Sequence, residues 1–336
     1  MPKFEKILIT GGAGYCGSVM TPQLLDMGYK VTVYDIMYYG FDQLPTDHPN
    51  LTVIKGDIRD VDALSLAMNG VDAVVNLACI SNDASFELDE GLSTTVNLDA
   101  FEPMVVAAKK AGVKRFVYAS SSSVYGVSDS PDVTEDHPLV PLTLYNKYKG
   151  MCEPLLKKHT DENFVGVIFR PATVCGYSPR QRLDLSVNIL TNHAVVNHKI
   201  RVFGGSQLRP NLHVQDYTDL VKTLLEASDD KIADETFNCG FQNLSIMDIA
   251  KVVKSVVEAE IPEIGEISIE TEPTDDIRSY HINSDKIKRV LGFSPKHTIE
   301  DAVRDLVKAF KNDELPNSFD DDNYYNVRTM KKIGAK

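Results

Sequence analysis

Ile7-Leu8-Ile9-Thr10-Gly11-Gly12-Ala13-Gly14-Tyr15-Cys16-Gly17 runs an apolar stretch straight into a set of regularly spaced glycines. That spacing suits a dinucleotide pyrophosphate. Gly11 makes the tight turn out of a strand, Gly14 lets the backbone approach the phosphates, and Gly17 lets the following helix pack closely. The helix start adds unpaired N–H groups and a partial positive charge. A second apolar run, Val31-Thr32-Val33-Tyr34, follows after a helix-length gap and ends at Asp35. A carboxylate there can accept both hydroxyls of an adenosine ribose. No arginine follows Asp35 closely, which favours NAD over NADP.

Further Val- and Ile-rich runs occur at Leu51 to Ile54, Val71 to Leu77, Phe116 to Tyr118 and Val165 to Phe169, most of them separated by helix-length segments. Near-continuous apolar strands alternating with helices imply an α/β fold, a doubly wound parallel (Rossmann) sheet covered on both faces. This dinucleotide-binding domain is expected over residues 1–170. After Arg170-Pro171 the rhythm changes to loops with Pro179, Gly204-Gly205 and Pro210, then to helices expected at Ser245 to Ala259 and Ile299 to Lys311. Residues 171–315 are therefore expected to form mainly a smaller α/β substrate lobe, with some segments free to return to the first domain. Ligands of open α/β sheets bind beyond the carboxyl ends of the strands, so a cleft between the two parts is expected. Residues 316–336 show no periodicity and are expected to be an extended tail. Pro22, Pro103 and Pro154 fall inside segments that otherwise read as helix, which implies either bent helices or shifted boundaries.

The 336 residues can bury a substantial core. A formal net charge of −13 disfavours nucleic acid and anionic membrane as partners. Cys16, Cys79, Cys152, Cys175 and Cys239 are scattered singly, as in a reducing, cytoplasmic setting. No metal site is expected, since His193 and His198 suit neither a helical pair nor a zinc motif. No leader-like pattern or membrane-length apolar run occurs.

Ser120-Ser121-Ser122-Ser123-Val124-Tyr125-Gly126 directly follows a predicted strand, which puts its hydroxyls at the carboxyl edge of the sheet, although such a run also makes an ordinary polar loop. On a helix, Tyr145-Asn146-Lys147-Tyr148-Lys149 places Tyr145 and Lys149 on one face. A phenol serving as a base at neutral pH must fall about three units, and an ammonium with a positive nicotinamide could supply that shift by favouring phenolate.

Together these features resemble the extended short-chain dehydrogenase/reductase family, in its nucleotide-sugar epimerase and dehydratase branch. The likeness also takes in Gly56-Asp57-Ile58, Asn76-Leu77-Ala78, Asn97, Arg170-Pro171 and Arg209-Pro210-Asn211-Leu212-His213-Val214-Gln215-Asp216. It implies NAD bound by Gly11, Gly14, Tyr15, Cys16, Gly17, Asp35, Asp57, Ile58, Leu77, Ala78, Asn97, Tyr145 and Lys149. It further implies catalysis by Ser121, Tyr145 and Lys149, and a nucleotide-diphosphate sugar bound by Ser122, Ser123, Thr173, Arg182, Asn188, Arg209 and Arg278. In the implied reaction Tyr145 takes the proton of the sugar O4 hydroxyl while C4 gives hydride to NAD. A homodimer is implied as well, through helices near Asn97 to Ala111 and Tyr145 to His159.

Family dehydratases usually carry an acid where this chain has Ser122 and Ser123, which disfavours a typical 4,6-dehydratase. Asp83 and Glu87 are conceivable stand-ins but read first as surface or loop-capping residues. Other departures are Asn76 in place of a frequent histidine, Thr173 in place of a frequent asparagine, and Glu272-Pro273-Thr274-Asp275-Asp276 in place of Arg-x-Gly-Asp. Arg278, in Asp276-Ile277-Arg278-Ser279-Tyr280, would supply a second diphosphate contact from a shifted position. Cys175 to Asp184 is similar to 4-dehydrogenases acting on GDP-heptose. The expected function is a C4-oxidising epimerase. A net 4-dehydrogenase or 4-keto reductase, a dehydratase with an unusual acid, and a non-catalytic NAD sensor are the alternatives.

Overall fold

A computed structural model describes residues 2–128, 130–275 and 278–336. Asp276 and Ile277 of the stretch around Arg278 lie outside the described residues. Strands β1 (Lys6–Thr10), β2 (Lys30–Asp35), β3 (Leu51–Lys55), β4 (Ala73–Asn76), β5 (Arg115–Ala119) and β6 (Val165–Pro171) fall on the six apolar runs. The second half adds β7 (Thr173–Cys175), β8 (Lys199–Phe203), β9 (Leu208–His213), β10 (Thr236–Cys239), β11 (Gln242–Ser245) and β12 (Ser268–Glu272). Seven strands form one parallel sheet in the order β10-β6-β5-β4-β1-β2-β3. The order reverses between β4 and β1, the switch point where such sheets open a crevice.

Strand alternation accounts for the two cores. Ile7, Ile9, Val31, Val33 and Val75 pack on one face of the sheet, and Leu8, Tyr34, Val74, Phe116 and Tyr118 on the other. Helices cover both faces, so β4, β5 and β6 are buried along their whole length on both sides. In the second half, β11-β9-β7 and the pair β12-β8 form small sheets. They pack with the helices Ser186–Asn197, Ile246–Glu260 and Ile299–Lys311 around a separate core that includes Val187, Val202, Val253 and Val303. β10 leaves this region and pairs with β6, and the helix Val214–Glu226 packs on the helix Tyr15–Asp26.

The helices run through all three prolines. Pro22 lies within Tyr15–Asp26 and Pro154 within Leu144–His159. Pro103 sits in the first turn of Phe101–Lys110, directly after a π-helical turn at Thr95–Asp99, where a missing N–H costs least.

The expected extended tail is corrected by the structure. Residues Asn326–Ile333 form a helix whose Thr329 and Met330 are buried, and Met330 packs on Ile80 and Leu92 of the segment after β4. The Lys336 carbonyl accepts from Tyr38 and Arg59, at 2.7 and 2.9 Å. Eight residues are too few to register a helical period in sequence, and its partners Ser81, Arg180 and Asp184 lie more than 140 residues away. Among the described residues no helix is long and apolar enough to cross a membrane.

Candidate active site

The carboxyl ends of β1 to β6 open into one cleft of about 490 Å³. Its wall includes Gly11, Gly14, Tyr15, Cys16, Gly17, Asp35, Asp57, Ile58, Leu77 and Ala78 among the expected cofactor residues. Ser121, Ser122, Ser123, Tyr145, Lys149, Thr173, Arg182, Arg209 and Arg278 line it too.

At the glycine turn, geometry separates three roles. Gly11 has φ +74°, and a Cβ there would lie 2.6 Å from the Ala78 amide nitrogen, so β1 and β4 can meet at the switch point only without a side chain. A Cβ on Gly17 would lie 2.4 Å from the Gly12 carbonyl oxygen. A Cβ on Gly14 would have a single neighbour, the Gly11 carbonyl oxygen at 3.3 Å, and Gly14 lies on the cleft wall. These features fit a dinucleotide pyrophosphate laid across Gly14 at a helix start. Gly17→Ala is expected to destabilise the fold by several kcal/mol, because backbone must move. Gly14→Ala is expected to keep stability within about 1 kcal/mol yet weaken NAD binding; thermal melts and NAD titration of the two variants check this contrast.

Asp35 at the end of β2 accepts from the Ala13 and Met37 amides at 3.0 and 2.8 Å. Burial pushes its carboxyl up, with those two N–H groups pulling the other way. Asp57 is held by Arg59, through its backbone N–H at 2.9 Å and its guanidinium.

Thr143 caps the helix Leu144–His159 through the Asn146 amide and thereby sets the height of Tyr145 above the serine turn. Ser121 Oγ and Ser123 Oγ are 2.7 Å apart, and Ser123 donates to Asn146 Oδ1. Beneath them Ser120 donates to the buried Glu153 at 2.6 Å. In the chain without cofactor, burial pushes the Tyr145 phenol well above its usual value, Cys79 and Asp83 add to this, and Arg182 opposes it. Lys149 Nζ donates instead to the Ala119 carbonyl at 2.8 Å, at the end of β5. A buried ammonium takes the nearest strong acceptor, and the sheet edge provides one.

Two expected ligand residues lie behind the wall. Asn97, in the π turn, accepts from Ile80 N at 2.8 Å and donates to Ile80 O at 2.9 Å, which fixes the segment after β4. Asn188 accepts from Gly176 N at 3.0 Å and donates to the Arg182 carbonyl at 2.8 Å and the Tyr15 hydroxyl at 3.2 Å. Both amides satisfy backbone groups of loops that reach the cleft, so their reach to a ligand is indirect.

The arginines converge from separate segments. Arg182 donates to Asp184 at 2.8 Å and to Ser81 at 3.2 Å, and its second terminal nitrogen is buried without a partner. Arg209 lies 5.4 Å from the Tyr280 ring and donates to the Arg278 carbonyl. Arg278 pairs with Asp83, which also accepts from Thr143 at 2.6 Å. Asp83 is thus a bridge across the mouth of the cleft, and Glu87 is exposed outside it. Tyr39, Arg180, Asn326 and Met330 also line the cleft and were missed. Arg180 lies within the Cys175 to Asp184 stretch, whose sequence singles out no role for it, and the other three carry no local motif.

The family model "NAD dependent epimerase/dehydratase family" matches residues 7–240. The chain is similar to UDP-glucose 4-epimerase of Bacillus subtilis, 27% identical over 330 residues, covering 89% of this chain and 95% of that one. It is also similar to dTDP-glucose 4,6-dehydratase of Streptomyces griseus, 28% identical over 308 residues, covering 88% and 91%. Among solved structures, MoeE5 in complex with UDP-glucuronic acid and NAD superposes with a TM-score of 0.78 at 25% identity, covering 92% of this chain and 99% of that one.

Proposed function

From the premise that this chain belongs to the NAD-dependent epimerase/dehydratase family, we propose that it is a nucleotide-sugar epimerase working through transient oxidation at C4. One observation carries the reading: the glycine turn, Ser121, Tyr145 and Lys149 line a single cleft, while the positions after Ser121 hold serines instead of a carboxylic acid.

Bound NAD supplies a reversible acceptor for the hydrogen on C4. Tyr145 takes the O4 proton as that carbon is oxidised and returns it when the opposite face is reduced. Ser121, steadied by Ser123 and Asn146, orients O4 and stabilises charge on it. Because burial raises the Tyr145 phenol, the cation that acts on it matters, and from the chain that cation is Arg182. Arg182, Arg209 and Arg278 hold the substrate diphosphate, for which guanidinium forks are well suited. Thr173 contacts the sugar ring. In this reading residues 1–170 hold the cofactor, and the lobe within 171–315 covers the sugar.

The protein acts in the cytoplasm as a homodimer. Unpaired cysteines support the first point, and exposed Leu144 and Met151 on the outer face of the helix Leu144–His159 support the second.

The test incubates the protein and NAD with UDP-, GDP-, CDP- and dTDP-sugars, following product mass, product stereochemistry by NMR, and NADH absorbance. An epimer of unchanged mass with no net NADH is expected. Net NADH would make the protein a 4-dehydrogenase, and loss of water from the sugar would make it a dehydratase.

A further inference from the structure

Arg180 is buried to 6% exposure and lines the cleft, yet no carboxylate forms an ion pair with it among the described residues. Asp184, four residues along the chain, is taken by Arg182. The guanidinium of Arg180 lies over the Tyr39 ring, its carbon 3.8 Å from the centroid, and donates to the neutral side chain of Asn326 at 2.7 Å. Its Nε is buried without a partner. Burial, with Arg182 adding repulsion, pulls its pKa down to about 10, against the fields of Tyr39, Asp184 and Asp35. A buried cation without a counter-charge is costly, and a diffusible anion in the cleft removes that cost.

The surroundings say which anion. The Arg180 amide donates to Ser18 Oγ at 3.3 Å, and the Ser18 amide in turn bonds the Gly14 carbonyl at 2.9 Å. Ser178 donates to the Tyr15 carbonyl at 2.7 Å, and Tyr15 donates to the Gly176 carbonyl at 2.7 Å. The loop after β7 is therefore bolted to the first turn of the helix Tyr15–Asp26, the turn that offers its N–H groups to a phosphate. Tyr39 follows Asp35 at the exit of β2, on the β3-β2-β1 side of the switch point. Asn326, besides gripping Arg180, donates to Ser81 at 3.1 Å from its side chain and to Asp184 at 3.1 Å from its amide. The support for Arg180 thus comes from the C-terminal helix.

We propose that Arg180 binds the phosphate oxygens of the cofactor from the wall facing the glycine turn, and that Tyr39 and Asn326 hold it in place to do so. The dinucleotide is then gripped from both sides, by N–H groups of one lobe and by a guanidinium of the other. The C-terminal helix completes the cofactor site. This rests on NAD being the cofactor. The shared chemistry, a nucleotide diphosphate, could instead come from the substrate.

The test uses the full chain stripped of nucleotide, as wild type, Arg180→Met, Arg180→Lys and Asn326→Ala. NAD binding and, separately, UDP and GDP binding are measured by titration calorimetry, together with the melting temperature of each protein without nucleotide. Arg180→Met is expected to weaken NAD binding about 10- to 100-fold, as for loss of a charge-assisted hydrogen bond, with UDP and GDP binding within about twofold. Arg180→Lys should recover part of the loss, and Asn326→Ala should give a smaller loss of the same kind. Because an uncompensated buried cation has been removed, nucleotide-free Arg180→Met should melt no lower than wild type. Unchanged NAD affinity overturns the proposal. So does a loss that appears on UDP or GDP instead of NAD, or a lowered melting temperature that accompanies the loss and marks a structural role. Failure of wild type to bind NAD overturns the cofactor premise along with it, a result distinct from the other three.

Discussion

Tyr145→Phe is expected to cut turnover by about 10²- to 10⁴-fold, the span of a general base lost from its place, while NAD affinity stays close to wild type. The substitution keeps the ring, so cleft packing is preserved and only the proton-accepting oxygen goes. Steady-state kinetics with the substrate identified by the sugar panel, set beside NAD titration, separates the two effects. Unchanged turnover would remove Tyr145 from the mechanism. The pH profile carries the same argument with a definite sign. A base works when deprotonated, so the activity of wild type rises with pH through the ionisation of Tyr145. Burial pushes that phenol up, and Arg182 is the opposing influence. In Arg182→Met the rising limb of kcat/KM should therefore move to higher pH; a shift to lower pH would contradict the assigned electrostatics.

Glu153→Ala is expected to destabilise the protein by about 3–5 kcal/mol, because it leaves a buried guanidinium without its counter-ion. Arg170 meets Glu153 with two hydrogen bonds, Nε to Oε1 at 2.9 Å and Nη2 to Oε2 at 2.6 Å, and both side chains are almost completely buried. Arg170 also donates to the Tyr125 hydroxyl at 2.6 Å and to the Glu135 carbonyl at 3.1 Å, and Tyr125 passes the chain on to Asn238 at 2.7 Å. One network therefore joins the Tyr145 helix, the serine turn, the end of β6 and β10. Chemical denaturation of Glu153→Ala, Arg170→Met and the double variant measures it. The double variant should be more stable than Glu153→Ala, since removing both charges leaves none uncompensated. A loss below about 1 kcal/mol in Glu153→Ala would show that water or another group compensates Arg170.

What the linear chain revealed was whatever depends on near neighbours. Six strands announced themselves as apolar runs because both faces of a parallel sheet are buried. The glycine turn, Asp35 and the Tyr145–Lys149 pair were legible because each is a short motif whose geometry comes from one strand end or one helical turn.

Only the folded chain decided the rest. The four residues of β10 gave no signal strong enough to place them at the sheet edge, and their pairing with β6 bridges more than sixty positions. Lys149 shares a helix face with Tyr145, yet its ammonium goes to the Ala119 carbonyl, an acceptor that exists only where β5 ends beneath that helix. Asn97 and Asn188 carry ligand-like side chains, but loops folded back onto them use up their hydrogen bonds. Tyr39, Arg180 and Asn326 come from three distant parts of the chain and become one feature of the cleft through long-range packing. Periodicity and turn chemistry are properties of a few consecutive residues. A buried charge, by contrast, acquires its meaning from whatever the rest of the chain brings next to it, and no local pattern records that.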